Sequence, residues 1–200
     1  YLDGFIAAER SGEIVACGTP VPQAGCSPSA TWQLSVPKNT PGGELLGFEI
    51  NYQQPFSFMP APFDNMGTLL NYTYVQTEIV YLNATGGVTA IDDLTNLSRR
   101  AYNATLYYED EVFSARVSAA YRSKYPTTIP GRDGNTLEAT NETFNVDAAA
   151  SYAVSDNVRL TFEGINLTDE ANDQYLTPDD RLSFYHHFGR QYFLGVRYSY

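Results

Sequence analysis

Basic residues are scarce in this sequence: Lys and Arg number 12 against 23 Asp and Glu, a formal net charge of -11 over 200 residues. That balance repels phosphate backbones, and with no basic run to act as a local exception it excludes nucleic acid as a partner. Long hydrophobic runs are missing as well. No segment approaches the roughly 18 consecutive apolar residues of a membrane-spanning helix. The opening YLDGFIAAERSG lacks the basic-then-apolar layout of a signal peptide, and the chain starts without Met, so it reads as a mature or internal piece of something longer. GxSxG, HExxH, GxxxxGK and CxxC are all absent, so no catalytic residue, enzyme activity or cofactor is expected.

Histidine is limited to His186 and His187. Adjacent residues on a strand point to opposite faces, which suits loop or rim positions better than a shared metal, and no metal site is expected. Cysteine is limited to Cys17 and Cys26, in the Pro- and Gly-rich CGTPVPQAGC. With no CxxC or nearby His and Asp, the pair suits a disulfide closing a surface loop in an oxidising compartment, stabilising by about 2 to 3 kcal/mol. Acidic clusters at Asp92 and Asp93, at Glu138 and Glu142, and from Asp169 to Asp180 do not match a calcium loop and read as solvated loops. Six sequons, at Asn71, Asn83, Asn96, Asn103, Asn141 and Asn166, mean nothing in a bacterial chain.

Aromatic residues are abundant, with 16 Tyr and 11 Phe, and they occur in an alternating pattern that favours strands. Between 190 and 200, Tyr192, Leu194, Val196, Tyr198 and Tyr200 share one face, and Gln191, Phe193, Gly195, Arg197 and Ser199 the other. The same split recurs at 43–54, 99–109, 112–125 and 142–154, with less regular strands at 67–81 and 158–168. With the opening segment near 1–10, about eight strands are expected. Links alternate in length: PAPFDN, EDE and SDN are short, whereas 11–42, 82–98, 126–141 and 169–189 are long. An up-and-down barrel of the bacterial outer membrane has short turns at one rim and long loops at the other. Soluble sandwiches and lipocalin-like barrels also alternate, with the apolar face inward. Charges at strand centres (Glu49, Arg116, Asp147, Glu163, Arg197) and Tyr near strand ends favour a wet lumen and a lipid-facing exterior.

GGELLGFEINYQQPFSF (42–58), NYTYVQTE (71–78), YNATLYYEDEVFSARVSAAYRSKY (102–125), INLTDE (165–170) and GRQYFLGVRYSY (189–200), in this order, resemble the C-terminal part of the barrel of TonB-dependent outer-membrane receptors. The resemblance implies an all-β fold in which residues 1–200 supply about the last eight strands of a large antiparallel transmembrane β-barrel, of the 22-stranded plugged class. The plug domain and TonB-contacting segment are then outside this chain, and strands built for a wide barrel would leave edges unpaired. It further implies import of a scarce nutrient, such as a siderophore, haem, cobalamin or saccharide, with energy from the TonB system. The implied partners are outer-membrane lipid and lipopolysaccharide, the plug and remaining strands, the TonB complex and the barrel assembly machinery.

Residue roles follow from that frame. Glu49, Asn51, Asn71, Asn103, Arg116, Asp147, Arg159, Glu163 and Arg197 would face the lumen and plug. Arg99, Arg100, Arg122, Lys124 and Arg132 lie where an anionic substrate would arrive at the outer rim, or serve there as rim charges meeting acidic neighbours or lipopolysaccharide. Tyr192, Leu194, Val196, Tyr198 and Tyr200 are similar to the C-terminal signal read by the assembly machinery. A different class, a soluble secreted β-sandwich binding carbohydrate through exposed Tyr, remains the alternative, and a passive pore would differ only in lacking a plug.

Overall fold

The computed structural model describes residues 41–83 and 86–200, preceded by the backbone of four short strands: β1 (Ile6–Glu9), β2 (Ile14–Ala16), β3 (Thr31–Gln33) and β4 (Val36–Asn39). Cys17 and Cys26 lie outside the described residues. The expected opening strand is described only as β1, which pairs with β4 apart from the main sheet.

Alternation between apolar and polar residues builds the main sheet. Its long strands are β5 (Gly43–Pro55) and β6 (Met66–Leu82). After a short strand β7 (Val88–Asp92) come β8 (Arg100–Glu109) and β9 (Phe113–Arg122). Two further short strands, β10 (Tyr125–Thr128) and β11 (Glu138–Thr140), precede β12 (Thr143–Ser155) and β13 (Val158–Ile165). The chain closes with β14 (Asn172–Leu176), β15 (Arg181–His186) and β16 (Gln191–Tyr198). The antiparallel order is β16-β13-β12-β9-β8-β6-β5, with β7 added beside the far half of β6. Each long strand therefore pairs with the next one along the chain, which is the up-and-down topology. The eighth strand is β7 rather than the opening segment.

Connections at one rim are short. Residues 110–112 and 156–157 are tight, and β5 reaches β6 through Phe56–Asn65, which ends in a single 3-10 turn at Phe63–Asn65. Asp110 shapes the first of these, accepting the Val112 and Phe113 N–H groups at 2.8 and 2.7 Å. The long links lie at the other rim, and here the structure differs from the sequence reading. They are not open loops. β10 and β11 from one link join β14 and β15 from the next in a separate four-stranded sheet. These strands are too short to carry a period-two signal, and their pairing is decided by distant chain.

Cross-strand register places all the even-numbered residues of β5, β6, β8, β12, β13 and β16, and the odd-numbered ones of β9, on one surface. One row runs Leu194, Phe162, Ala150, Ala115, Tyr108 and Met66. That surface is uncovered: Leu46 is 75% exposed, Phe48 53% and Leu194 87%. Buried apolar side chains among the described residues are only Ile79, Tyr81, Pro126 and Ala139, at the long-loop end. A soluble sandwich would bury this face against a second sheet, so the apolar surface faces outward and the sandwich reading has no core. Among the described residues β5 and β16 end the sheet with open edges, as expected of strands taken from a wider barrel.

Close packing between strands is visible at Gly67, opposite Tyr107. The Tyr107 ring lies over the Gly67 backbone and fills the place a Cβ would take. Thr161 covers Gly195 in the same way.

Candidate functional site

The polar surface has its own continuous rows. Asn145, Ala120, Asn103, Asn71 and Asn51 form one across β12, β9, β8, β6 and β5. Within it Asn71 Nδ2 donates to Glu49 Oε1 at 2.8 Å and Asn51 Oδ1 at 2.5 Å, and Asn51 Nδ2 also reaches Glu49 at 3.3 Å. Hydroxyls continue the network nearer the short turns. Thr105 meets Ser118 and Ser114 meets Ser151, each at 2.8 Å, and Arg159 Nη1 donates to Ser151 Oγ at 2.9 Å. A groove of about 710 Å³ runs along this face, with walls that include Gln53, Leu69, Thr105, Arg116, Ser151 and Glu163 from six strands. Concavity and polarity thus coincide, as in a barrel lumen.

All nine residues expected on the lumen side occupy polar-face strand positions. They divide by partner. Glu49, Asn51, Asn71 and Arg159 are bonded within the sheet. Asp147 accepts the Asn166 N–H at 2.8 Å, at the base of the last long link. The side chains of Asn103, Arg116, Glu163 and Arg197 make no hydrogen bond or ion pair among the described residues. Ala149 separates Glu163 from Arg116 in the register, so opposite charges share the polar face with one strand between them and do not meet.

At the long-loop rim the arginines are mostly engaged. Arg99 Nε binds Asp93 at 2.6 Å. Arg132 grips Glu138 through Nε and Nη2 at 2.5 and 2.8 Å. Arg122 donates to Ser98 Oγ at 2.6 Å and Asn96 O at 2.7 Å, with its guanidinium over the Tyr125 ring. Asn96 N–H donates to Pro126 O, and across to the last link Thr136 N–H donates to Thr177 O while Thr177 N–H donates to Leu137 O. Three long links are thereby joined in one hydrogen-bonded wall. Burial, with the charges of Asp180 and Asp92, holds the Tyr175 phenol above its ordinary range and so keeps it neutral. Lys124 is exposed, and Arg100 stands on the outward face opposite Tyr74.

The acidic loops are accounted for in the same way: Asp93 and Glu138 hold arginines, and no group of three or more possible metal ligands occurs among the described residues. The two histidines do point apart. His186 contacts Phe184 edge-on at 4.2 Å, while His187 Nε2 lies 3.0 Å from Asp169 Oδ1. Sequence reasoning missed Asn166, which sits at φ +55° and closes the base of the last link. Its side chain donates to Glu170 O and Gly189 O and accepts the Glu170 N–H. The signal available was an Asn directly after a strand, a residue that tolerates the left-handed region.

On the outward face aromatic rings collect at two levels. Tyr102 stacks on Tyr121 at 4.8 Å, with Phe48, Tyr72 and Tyr74 beside them at the long-loop end. Tyr108 and Phe113 meet at 5.9 Å near the short turns. Phe113 and Tyr121 lie eight residues apart on β9, about 27 Å along the strand, or about 20 Å along the membrane normal at a tilt near 40°. Outer-membrane barrels carry an apolar band of about 25 Å between their aromatic girdles, a comparable spacing.

Residues 6–167 match the family described as TonB dependent receptor-like, beta-barrel. The chain belongs to this family. TonB-dependent receptors are outer-membrane proteins, which agrees with the outward apolar band and the polar groove. Among solved structures, the siderophore receptor PiuA from Acinetobacter baumannii is similar in fold, with a TM-score of 0.58 at 19% identity over 80% of this chain. The chain spans 22% of the length of that receptor chain. Comparison with curated proteins returned no match.

Proposed function

We propose that this chain forms the C-terminal portion of the barrel of a TonB-dependent receptor that imports a scarce nutrient across the bacterial outer membrane, with energy from the TonB system. The observation that carries the proposal is the lumen face: opposite charges on Arg116, Glu163 and Arg197 have no partner among the described residues, on a concave polar surface. Charges lining the wet lumen of a wide barrel are expected to meet a complementary body, and in this family that body is a plug domain. The plug would come from a part of the receptor outside this chain. Substrate would enter between the outer wall and the plug, and TonB would rearrange the plug rather than the barrel.

Open edges at β5 and β16 support a role as a segment of a larger closed sheet. The last strand, with Tyr192, Leu194, Val196 and Tyr198 outward and Tyr200 beyond its end, has the character of an assembly signal for the barrel machinery. Lipopolysaccharide is the proposed outer-leaflet neighbour. Siderophores head the substrate classes to test, on the strength of the similar solved receptor.

The test uses the complete receptor. It should fractionate with the outer membrane, shift gel mobility on heating in detergent, and support TonB-dependent uptake of one of a panel of ferric siderophores, haem, cobalamin and saccharides. A receptor that transports equally without TonB is a passive pore, and one that stays soluble without detergent ends the transport reading.

A further inference from the structure

One cross-strand pair of the main sheet brings two positive charges together. Arg159 of β13 stands directly opposite Arg197 of β16, and among the described residues no other position of that register sets two cations face to face. Both lie on the polar face, four residues nearer the short turns than the row of Arg116 and Glu163. Arg159 is positioned by its neighbours: Nη1 donates to Ser151 Oγ at 2.9 Å and Nη2 reaches Glu111 O at 3.5 Å. The exposed Arg197 side chain makes no hydrogen bond or ion pair among the described residues. Like charges directly opposite each other weaken a strand pair unless something offsets them.

Beside the pair a recess of about 460 Å³ opens at the short-turn rim, which is the periplasmic one in barrels of this kind, with Glu111, Ser155, Asp156, Asn157 and Ser199 on its border. Its edge is pinned, because the Ser199 N–H donates to Asn157 O at 2.9 Å and Asn157 Nδ2 donates back to Ser199 O at 2.7 Å. The carboxylates of Glu111 and Asp156 belong to exposed turns, and neither forms an ion pair with an arginine among the described residues. Two planar donor forks thus share a recess that solvent reaches, with no acid between them. We propose that Arg159 and Arg197 bind a free oxyanion, holding a carboxylate or phosphate group between their guanidiniums at the periplasmic mouth of the lumen. Arginine suits the role because its fork donates to two oxygens of such a group at once. The inference rests on the lumen reading above and adds a site to it: a substrate that carries such a group would meet the pair on leaving the barrel. A carboxylate from elsewhere in the receptor has the same chemistry, and the experiment separates the two sources.

The experiment places the complete receptor in lipid vesicles and follows urea unfolding in inorganic phosphate and in chloride at equal ionic strength. The variants are R197Q, R197K and, as an equal charge loss at the opposite rim, R181Q. Phosphate should raise the unfolding midpoint of the unaltered receptor and of R181Q to the same extent. R197Q should need about tenfold more phosphate for that rise, the loss expected for one charge-assisted contact, with R197K intermediate. In chloride R197Q should unfold no earlier than the unaltered receptor, because removing one of two facing cations relieves their repulsion. Equal phosphate-dependent rises in R197Q and the unaltered receptor overturn the site. A midpoint lowered in R197Q by the same amount in both buffers would put a receptor carboxylate between the guanidiniums and overturn the free-oxyanion reading. Heat-shifted gel mobility is recorded on the same samples. A preparation without the folded-barrel species would instead overturn the transport reading, an outcome distinct from a folded barrel indifferent to Arg197.

Discussion

The Arg122 guanidinium carbon sits 3.7 Å from the centre of the Tyr125 ring, at the point where β9 leaves the sheet and the outer wall begins. The same side chain holds Ser98 and Asn96 of the preceding link, so one arginine joins two loops that are distant in sequence.

Removing that joint should loosen the wall without opening the barrel. For Arg122→Ala we expect amide exchange around 94–98 and 125–140 to accelerate about tenfold, with the long strands unchanged. Lys at this position should not restore protection, because it lacks the planar fork that donates to two sites while stacking. Unchanged exchange in both loops would show that backbone pairing alone maintains the wall.

The two faces of β9 make opposite predictions at neighbouring positions. Val117 lies outward, midway between the girdle rings Phe113 and Tyr121, and Ser118 lies on the lumen side. Val117→Arg should destabilise the receptor in lipid vesicles by about 2 to 4 kcal/mol, whereas Ser118→Arg should cost well under half of that. Urea unfolding in vesicles measures both. A reversed order would invert the assignment of faces.

Gly67 is required by its neighbour rather than by its own backbone. Because Tyr107 occupies the space over it, Gly67→Val should cost about 1 to 3 kcal/mol through overpacking. The double variant with Tyr107→Ala should recover part of this loss. Additive losses in a double-mutant cycle would mean the two residues do not share the space.

At the short-turn rim, Asp110 has its carboxyl held below the ordinary range by the Tyr108 hydroxyl first, and by the Phe113 and Val112 N–H groups. A carboxylate with a depressed folded value contributes stability above its unfolded value, near 3.9, and loses it as pH falls through the folded value. Amide protection of the 110–112 turn should therefore decline below about pH 4, and Asp110→Asn should abolish that dependence. Protection that stays flat between pH 5 and pH 2 in the unaltered receptor contradicts this role.

Much of the fold was legible because strand alternation is a local property. Tyr192 to Tyr198, Phe113 to Tyr121 and Leu46 to Tyr52 each declare their face within a few residues, and the short turns are marked by Asp, Asn and Pro. The polar-face positions of Arg116, Glu163 and Arg197 followed from the same parity. The rim arginines were a different case. As sequence they were five similar cations, yet the structure gives Arg99, Arg122 and Arg132 to acids, carbonyls and a ring, and leaves Arg100 outward.

The sequence by itself determined which residues of each long strand share an apolar side and which a polar one, because side-chain direction has a period of two whatever the strand pairs with. Only the tertiary structure decided that three long links join in one wall, that Glu138 lies buried against Arg132, and that the Tyr107 ring rests on Gly67. The wall joins strands of three to six residues across long stretches of chain, where neither periodicity nor charge order specifies the partner, and the ring on Gly67 follows from the register of two long strands, which is set only when they pair.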